Sequence, residues 1–494
     1  MSVIILPNQL FEANDLAQNY KKVYLVEHYI HFKLFNYHKL KLILQRATMK
    51  NYENYLKQQY KCKVHYYEYY EKIEQIFEQN KNETIHIYDP IDHSILNEFN
   101  KLSKKYHVDL QVYDSPNFMC DYDTLIEYNN NKPLRHSSFY KWCREKFNIL
   151  MDNKGKPIGG QWSYDKNNRQ SYPNDFKVNN KITINNSVYV TEAIEYVNFN
   201  FKNNFGSTQF YMPINHTDAK KYFKNFLKER LECFGPYQDA VDEKILYGCH
   251  SLLSPLINIG LLNPMYIINE TIEYYKKYNI KLESVEGFIR QLFWREYVMY
   301  VYMFYDNEFT SNFFGHNNKL SEDWYIGNTQ IKPIDDLIKK VKKYGYLHHI
   351  ERLMYTGNFM LLSKIDPNEV YKWFMSFFID AFPWVMKPNV FGMSQFSTGP
   401  FMMNRPYFSS SNYIHKMSSY KKRKNFYPAI TINDKPYEWF DIWNALYHKF
   451  IDDNKNYLKK NYSTAGVISS WNKKNKSDKK QILNLADDYL KFYV

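Results

Sequence analysis

In its first third the chain alternates short apolar runs with longer mixed stretches. Val3–Leu6 and Val23–Glu27 are apolar runs ending in polar residues, and Lys63–Tyr67, Thr84–Tyr88 and Val108–Val112 continue the series. Runs of this kind read as parallel strands covered on both faces. His38–Tyr60 contains neither Gly nor Pro and predicts a long helix. The alternation predicts a doubly wound α/β domain over residues 1–128. From 129 to 205 the chain turns polar, with Gly155, Gly159, Gly160 and the Asn-rich Lys177–Asn186, and predicts an interdomain linker. Beyond it strand signals fade. Lys220–Leu231, Pro264–Tyr278, Ser284–Tyr305, Ile334–Tyr344, Leu347–Ser363 and Asn368–Phe382 predict helices, so residues 206–494 read as an all-α domain.

Composition sharpens this frame only slightly. The formal net charge is +13, which favours a polyanionic partner such as nucleic acid, although drift in an A/T-rich genome supplies the same excess of Lys. Aromatic residues make up 19 % of the chain, suited to stacking on bases or on a planar cofactor, and equally a product of Tyr-rich drift. The five cysteines form no C-x-x-C pair and are odd in number, which argues against a disulfide framework or a cysteine-held metal and for a reducing intracellular compartment. The start, MSVIILPNQLF, lacks the pattern of a signal peptide, and no apolar stretch is long enough to span a membrane.

Five stretches of the second half carry chemistry. Cys249–Gly260 (CHSLLSPLINIG) places hydroxyls at a helix start, where a phosphate binds or where a helix is merely capped. Val285–Tyr297 (VEGFIRQLFWREY) sets Gln291, Trp294 and Arg295 at helical spacing, an amide, an indole and a guanidinium able to clamp a flat heterocycle. Gly345–Phe359 groups His348, His349 and Arg352, an acid/base candidate because a neighbouring cation or burial moves an imidazole pKa. Zinc is disfavoured there, since consecutive helical residues are expected to point apart. Trp373–Phe396 is aromatic-rich with one acid, Asp380, and Arg405–Tyr420 carries Tyr407 and Tyr413.

With PNQLF, Phe35–Lys50, GGQWSYDKNNR (Gly159–Arg169) and FGPYQDA (Phe234–Ala240), these stretches resemble, in collinear order from about Ile4 to Leu490, the prokaryotic (6-4) photolyases, the iron–sulfur branch of the photolyase/cryptochrome superfamily. The resemblance implies the photolyase fold, an antenna domain followed by a helical FAD domain. It implies FAD held by Ser251, Leu252, Leu253 and Ser254 at the diphosphate, by Gln291, Trp294 and Arg295, by an Arg352–Asp380 pair flanking the flavin, and by Asn389. It implies that His349, beside His348, is the general acid of repair, with Tyr407, Tyr413 and Met393 lining the lesion pocket, and that Trp373, Tyr325 and Trp324 carry electrons. Asn8, Gln9 and Glu27 would face a 6,7-dimethyl-8-ribityllumazine antenna. UV-damaged DNA, flipped at the lesion, would be the partner of a monomer with no membrane contact.

The chain also departs from that pattern. Phe374 stands where the branch has a Tyr, and Met386 where it has a Glu. The four cluster cysteines fall near Pro333, at Lys421 and Lys424, and near Asp441 or Tyr437, and no cysteine follows Cys249, so no iron–sulfur cluster is expected. Ion pairs from Lys421–Lys424 to Glu438 and Asp441, or, with more weight, apolar bulk from Trp439, Phe440 and Trp443, would offset that loss, and the resemblance leaves open that the basic run faces DNA instead. A cyclobutane-dimer photolyase, a light sensor without repair activity and a flavin-free nucleic-acid binder stay open as alternatives.

Overall fold

The computed structural model describes residues 1–179 and 181–494, which leaves Asn180 of the Asn-rich stretch outside the described residues. Five parallel strands, β1 (Ser2–Ile5), β2 (Lys22–Val26), β3 (Lys63–Tyr67), β4 (Thr84–Tyr88) and β5 (Asp109–Tyr113), form one sheet in the order β3-β2-β1-β4-β5. The order reverses at β1, which makes the sheet doubly wound and opens a switch point between β1 and β4. Alternate residues enter different cores. Val3, Ile5, Val23 and Leu25 face the main core, whereas Ile4, Leu6, Tyr24, Ile85 and Ile87 pack under the helices Glu74–Gln79 and His93–Tyr106. Burial on both faces explains why these strands read as continuous apolar runs.

The predicted long helix spans Lys39–Gln59, with His38 as its N-cap. The polar stretch carries helices of its own, His136–Lys146 and Val188–Asn200, and the second packs along Lys39–Gln59. The helical part is organised around Leu282–Tyr305, buried along most of its length.

Three expectations need correction. The later part is not all-α: Ile430–Ile432 and Lys435–Tyr437 pair as an antiparallel hairpin. Its turn residues Asn433 and Asp434 both have positive φ, 50° and 60°, the geometry of a two-residue hairpin turn. Asn368–Phe382 is not one helix, because Pro367–Phe377 ends at Phe378. Finally, Cys233 and Cys249 form a disulfide, their Cα atoms 5.7 Å apart. An odd count did not forbid one pair. The other three cysteines are free and buried. Among the described residues no helix is long and apolar enough to cross a membrane.

Candidate active site in the helical domain

The break at Phe378 builds the centre of the site. Pro383 opens the next helix and drives Phe382 into extended backbone (φ −138°, ψ 155°). The segment between leaves the helix, and Ile379 N donates to Gly345 O at 3.0 Å. Asp380 thereby meets Arg352 in a two-pronged pair, both N···O distances 3.0 Å, and accepts from Ser254 Oγ at 2.6 Å. The fork-to-fork geometry fixes both groups. The Phe378 ring lies 3.9 Å from the guanidinium carbon. From the sheet domain, buried Lys41 donates to Ala381 O at 2.7 Å, and burial lowers its pKa to about 7, against the pull of Asp380.

Beside this pair stand three histidines. The expectation that His348 and His349 point apart is not met, because both rings meet His250. His348 stacks on it at 4.2 Å and 8°, and His349 meets it edge-on at 5.3 Å. Nitrogens of the three come within 4.8 Å of one another. The stacked rings nevertheless hold their lone pairs in parallel planes, and His250 Nε2 already bonds Gln238 O at 2.9 Å, so they do not converge on a tetrahedral ion. His348 is buried, and its backbone N–H donates to Glu351 at 3.0 Å, so its place is behind the site.

His349 differs. Its side chain is 39 % exposed, yet desolvation, then Arg290 and Arg352, lowers its pKa to about 4. A ring both accessible and poorly solvated lines a recess within the protein. Its Nε2 lies 3.8 Å from Asp239 Oδ1. Desolvation, then the like charge of Asp165, raises Asp239 to about 7. Near neutral pH the imidazole is therefore neutral and its neighbour is poised to exchange a proton. Asp239 was not among the expected site residues, although FGPYQDA contained it.

Ser251, Gln291, Trp294, Met393, Tyr407 and Tyr413 are half-buried, and the charge of Asp239 reaches the Tyr413 hydroxyl. Trp294 Nε1 donates to Asn389 Oδ1 at 3.1 Å. Asn389 and Met393 lie in a π-helical turn, Pro388–Ser394, and Arg352 in another, Glu351–Gly357, which interrupts the predicted helix Leu347–Ser363. Such turns re-aim side chains and are frequent at functional sites. Leu252, buried, adopts a left-handed φ of 58° between the two serines, and Leu253 is buried as well. The serines are not equivalent. Ser254's proton goes to Asp380, whereas Ser251 Oγ accepts from Leu253 N at 3.4 Å and its own proton has no acceptor among the described residues.

Arg295 is corrected more strongly. It turns from Gln291 and Trp294 into the protein, donates to Asn258 Oδ1 at 3.0 Å and Asn117 O at 2.8 Å, and lies over Phe118 and Trp384. It ties the end of the sheet domain to the helix Ser254–Asn258 and does not line the recess.

The aromatic residues also divide. Trp373, fully buried, stacks on Phe377 at 4.4 Å, and half-buried Tyr325 meets the far side of that cluster at 5.9 Å from Phe377. Trp324 turns elsewhere, against Phe359 at 5.9 Å. Where cluster cysteines would fall, Lys421 and Lys424 are exposed, and among the described residues neither pairs with Glu438 or Asp441. Those two acids form the capping box of the helix Trp439–Asp453, whose Trp439 and Trp443 are buried.

Asn8 and Gln9 follow β1 at the switch point and bond across to β4, Asn8 to Pro90 O at 2.9 Å and Gln9 to Tyr88 O at 2.9 Å. Glu27, at the end of β2, accepts from Arg46, Tyr66, Tyr196 and the Tyr69 N–H, at 2.6 to 3.3 Å.

A parallel α/β layer joined to a large helical domain that sets an Arg–Asp fork beside three histidines defines a two-domain class of protein. Residues 3–211 match the family described as deoxyribodipyrimidine photo-lyase-related protein. The (6-4) photolyase of Agrobacterium fabrum is 35 % identical over 344 residues, 69 % of this chain and 67 % of that protein. The chain belongs to the photolyase/cryptochrome superfamily. Its fold is similar to that of a bacterial class III photolyase from Agrobacterium tumefaciens, with a TM-score of 0.58 at 13 % identity over 84 % of this chain and 86 % of that one. It is also similar to that of an archaeal photolyase from Sulfolobus tokodaii with two FAD molecules, with a TM-score of 0.52 at 13 % identity over 99 % and 100 %.

Proposed function

We propose that this protein is a light-driven DNA photolyase that reverses (6-4) photoproducts with FAD. The observation that carries the reading is His349, accessible in the recess, 3.8 Å from Asp239 and beside the Arg352–Asp380 pair. The recess suits FAD: Ser251 offers an uncommitted hydroxyl, Leu252's left-handed backbone shapes the loop beside it, and Gln291, Trp294 and Asn389 present amide and indole edges. When bound, reduced FAD supplies an electron on illumination. The chain's own residues do the rest. Arg352 and Asp380 fix the charge beside the cofactor. Tyr407, Tyr413 and Met393 border the space for a flipped dinucleotide. Returning the displaced OH or NH2 group between the pyrimidines needs a mobile proton, which His349 Nε2 and Asp239 hold between them. Trp373 and Tyr325, whose rings both pack on Phe377, would carry electrons, and Trp324, whose ring packs on Phe359, would stand outside that path.

Of the other groups implied, a lumazine does not fit Glu27, whose two oxygens already accept four donors from the protein. The chain offers no cysteine ligands for a cluster beyond Cys249. Illuminating the FAD-loaded protein with defined (6-4) and cyclobutane substrates, followed by product analysis, tests the reading. Restored pyrimidines from the (6-4) duplex are expected, and activity on the cyclobutane duplex alone would overturn the lesion assignment.

A further inference from the structure

The loop that precedes the hairpin carries the most concentrated charge in the chain and has no role so far. Lys421, Arg423 and Lys424 are exposed, Lys422 is half-buried, and Phe426, just beyond them, is 51 % exposed. Among the described residues, none of the four cations takes part in an ion pair. Glu438 and Asp441, the acids expected to pair with this run, cap a helix instead. An unpaired run of like charge usually sits on a mobile segment, but this backbone is pinned at both ends. Trp439 Nε1 donates to Lys421 O at 3.3 Å, and Asn425 N donates to Glu438 Oε1 at 2.8 Å. Lys422 ties the loop sideways, donating to Asn412 Oδ1 at 2.6 Å with its ammonium 5.6 Å from the Phe440 ring. Asn412 is the neighbour of Tyr413, whose hydroxyl feels the charge of Asp239, the partner of His349.

We infer that the loop 421–426 is a DNA clamp beside the recess, with Lys421, Arg423 and Lys424 on backbone phosphates and Phe426 stacked on an unpaired base. A fixed backbone holding three free cations loses little conformational freedom on binding, so the charge is presented ready for a polyanion. A flipped lesion leaves bases without partners, and an exposed aromatic next to phosphate-binding cations is the combination that stacks on such bases. Lys422, already engaged, holds the loop to the Tyr413 helix. This inference rests on the proposed action on damaged DNA.

The two kinds of contact separate by salt. Each phosphate contact adds roughly 0.9 to the slope of log affinity against log salt on duplex DNA, and a stacked ring adds none. Binding of FAD-loaded protein to a (6-4)-containing duplex is measured across salt concentrations. The triple variant Lys421→Ala/Arg423→Ala/Lys424→Ala should lower that slope by roughly 2 to 3, with thermal unfolding and bound FAD unchanged. Phe426→Ala should weaken binding roughly 5- to 100-fold with the slope intact. Should the triple variant fold poorly, Lys424→Glu alone must still lower both slope and affinity. A wild-type slope in the folded variants overturns the clamp. Wild-type protein that neither binds nor repairs the lesion duplex overturns the functional reading itself, whereas wild-type repair with an unchanged variant slope overturns only the clamp.

Discussion

Two buried polar clusters, one in each part of the molecule, are built from similar side chains and behave differently. In the sheet domain, Arg46 pairs with Glu27, Glu68 and Glu192, and the rings of Tyr66 and Tyr196 lie 5.2 and 3.9 Å from its guanidinium. Every oxygen of Glu27 is satisfied by its own chain. In the helical domain, Arg352 and Asp380 are equally well paired, but the groups around them are not closed off: among the described residues the Ser251 proton has no acceptor, and His349 and Trp294 remain part-accessible. Composition therefore does not separate scaffold from site. Unused hydrogen-bonding capacity facing a recess does, because a buried polar group with no prospective partner would cost stability for nothing.

The comparison breaks most sharply at His349. His349→Ala should lower (6-4) repair by roughly 100- to 10,000-fold, the usual contribution of a positioned proton donor, with flavin absorbance retained. Full repair by this variant would make the imidazole structural. Arg352→Met and Arg46→Met come next. Each leaves carboxylates without their cation, at a cost of about 3–5 kcal/mol in urea unfolding. The difference lies in a second readout. Arg352→Met should also release FAD, whereas refolded Arg46→Met should keep both FAD and repair. Loss of FAD from both variants would place the two clusters in one functional unit.

A smaller effect is visible in pH. Burial raises Asp239 from 3.8 to about 7, so the folded protein holds this proton more tightly than the unfolded chain, and the group's stability contribution falls as pH rises from about 4 to 7. His349 is lowered from 6.5 to about 4, so the unfolded chain holds its proton more tightly, and stability rises with pH over about 4 to 6.5. The two slopes oppose each other in the wild type. Asp239→Asn should uncover the rising slope and His349→Ala the falling one, in urea titrations at stepped pH. Repair should decline above about pH 7 as Asp239 loses its proton, and that limb should vanish in Asp239→Asn. Parallel stability profiles for the two variants would show that neither group is desolvated in solution.

Much of this architecture was legible in residue patterns, and the losses have physical causes. Lys63–Tyr67, Thr84–Tyr88 and Pro264–Tyr278 were read to the residue, because period and capping agreed there. The hairpin at 430–437 was missed although Asn433–Asp434, directly after the β-branched run Ile430–Ile432, is a turn signal. The π turns were invisible because one extra residue shifts the apolar phase by a single position, too little to stand out in segments that are apolar on most faces. His349, Arg352 and Asp380 were named from the resemblance, which also implied the 352–380 pair; no spacing along the chain would have joined those two. The partners of Arg295 in the sheet domain were not foreseen, because spacing on a helix says which residues share a face, not what the face meets. Cys233 and Cys249 pair across a loop that no spacing rule describes.

The finest test lies in the closed cluster. Tyr196 belongs to the helix Val188–Asn200 and donates its hydroxyl to Glu27 Oε2 at 2.7 Å, one of four donors on that carboxylate. Its ring also lies 3.9 Å from the Arg46 guanidinium. Tyr196→Phe removes the hydroxyl and keeps the ring, so packing and the cation–π contact survive and only the hydrogen bond is lost. A hydrogen bond to a charged acceptor contributes about 1.5–3 kcal/mol. The loss should fall at the low end, because Arg46, Tyr66 and the Tyr69 N–H remain on the same carboxylate. Urea unfolding should register it, and FAD retention and repair should not change. The same substitution probes whether the cluster stays closed in solution. Were Glu27 free to bind a second chromophore, Tyr196→Phe would alter the light-dependence of repair at wavelengths the flavin absorbs poorly and leave stability nearly untouched. A stability loss with an unaltered action spectrum is the outcome that a saturated Glu27 requires.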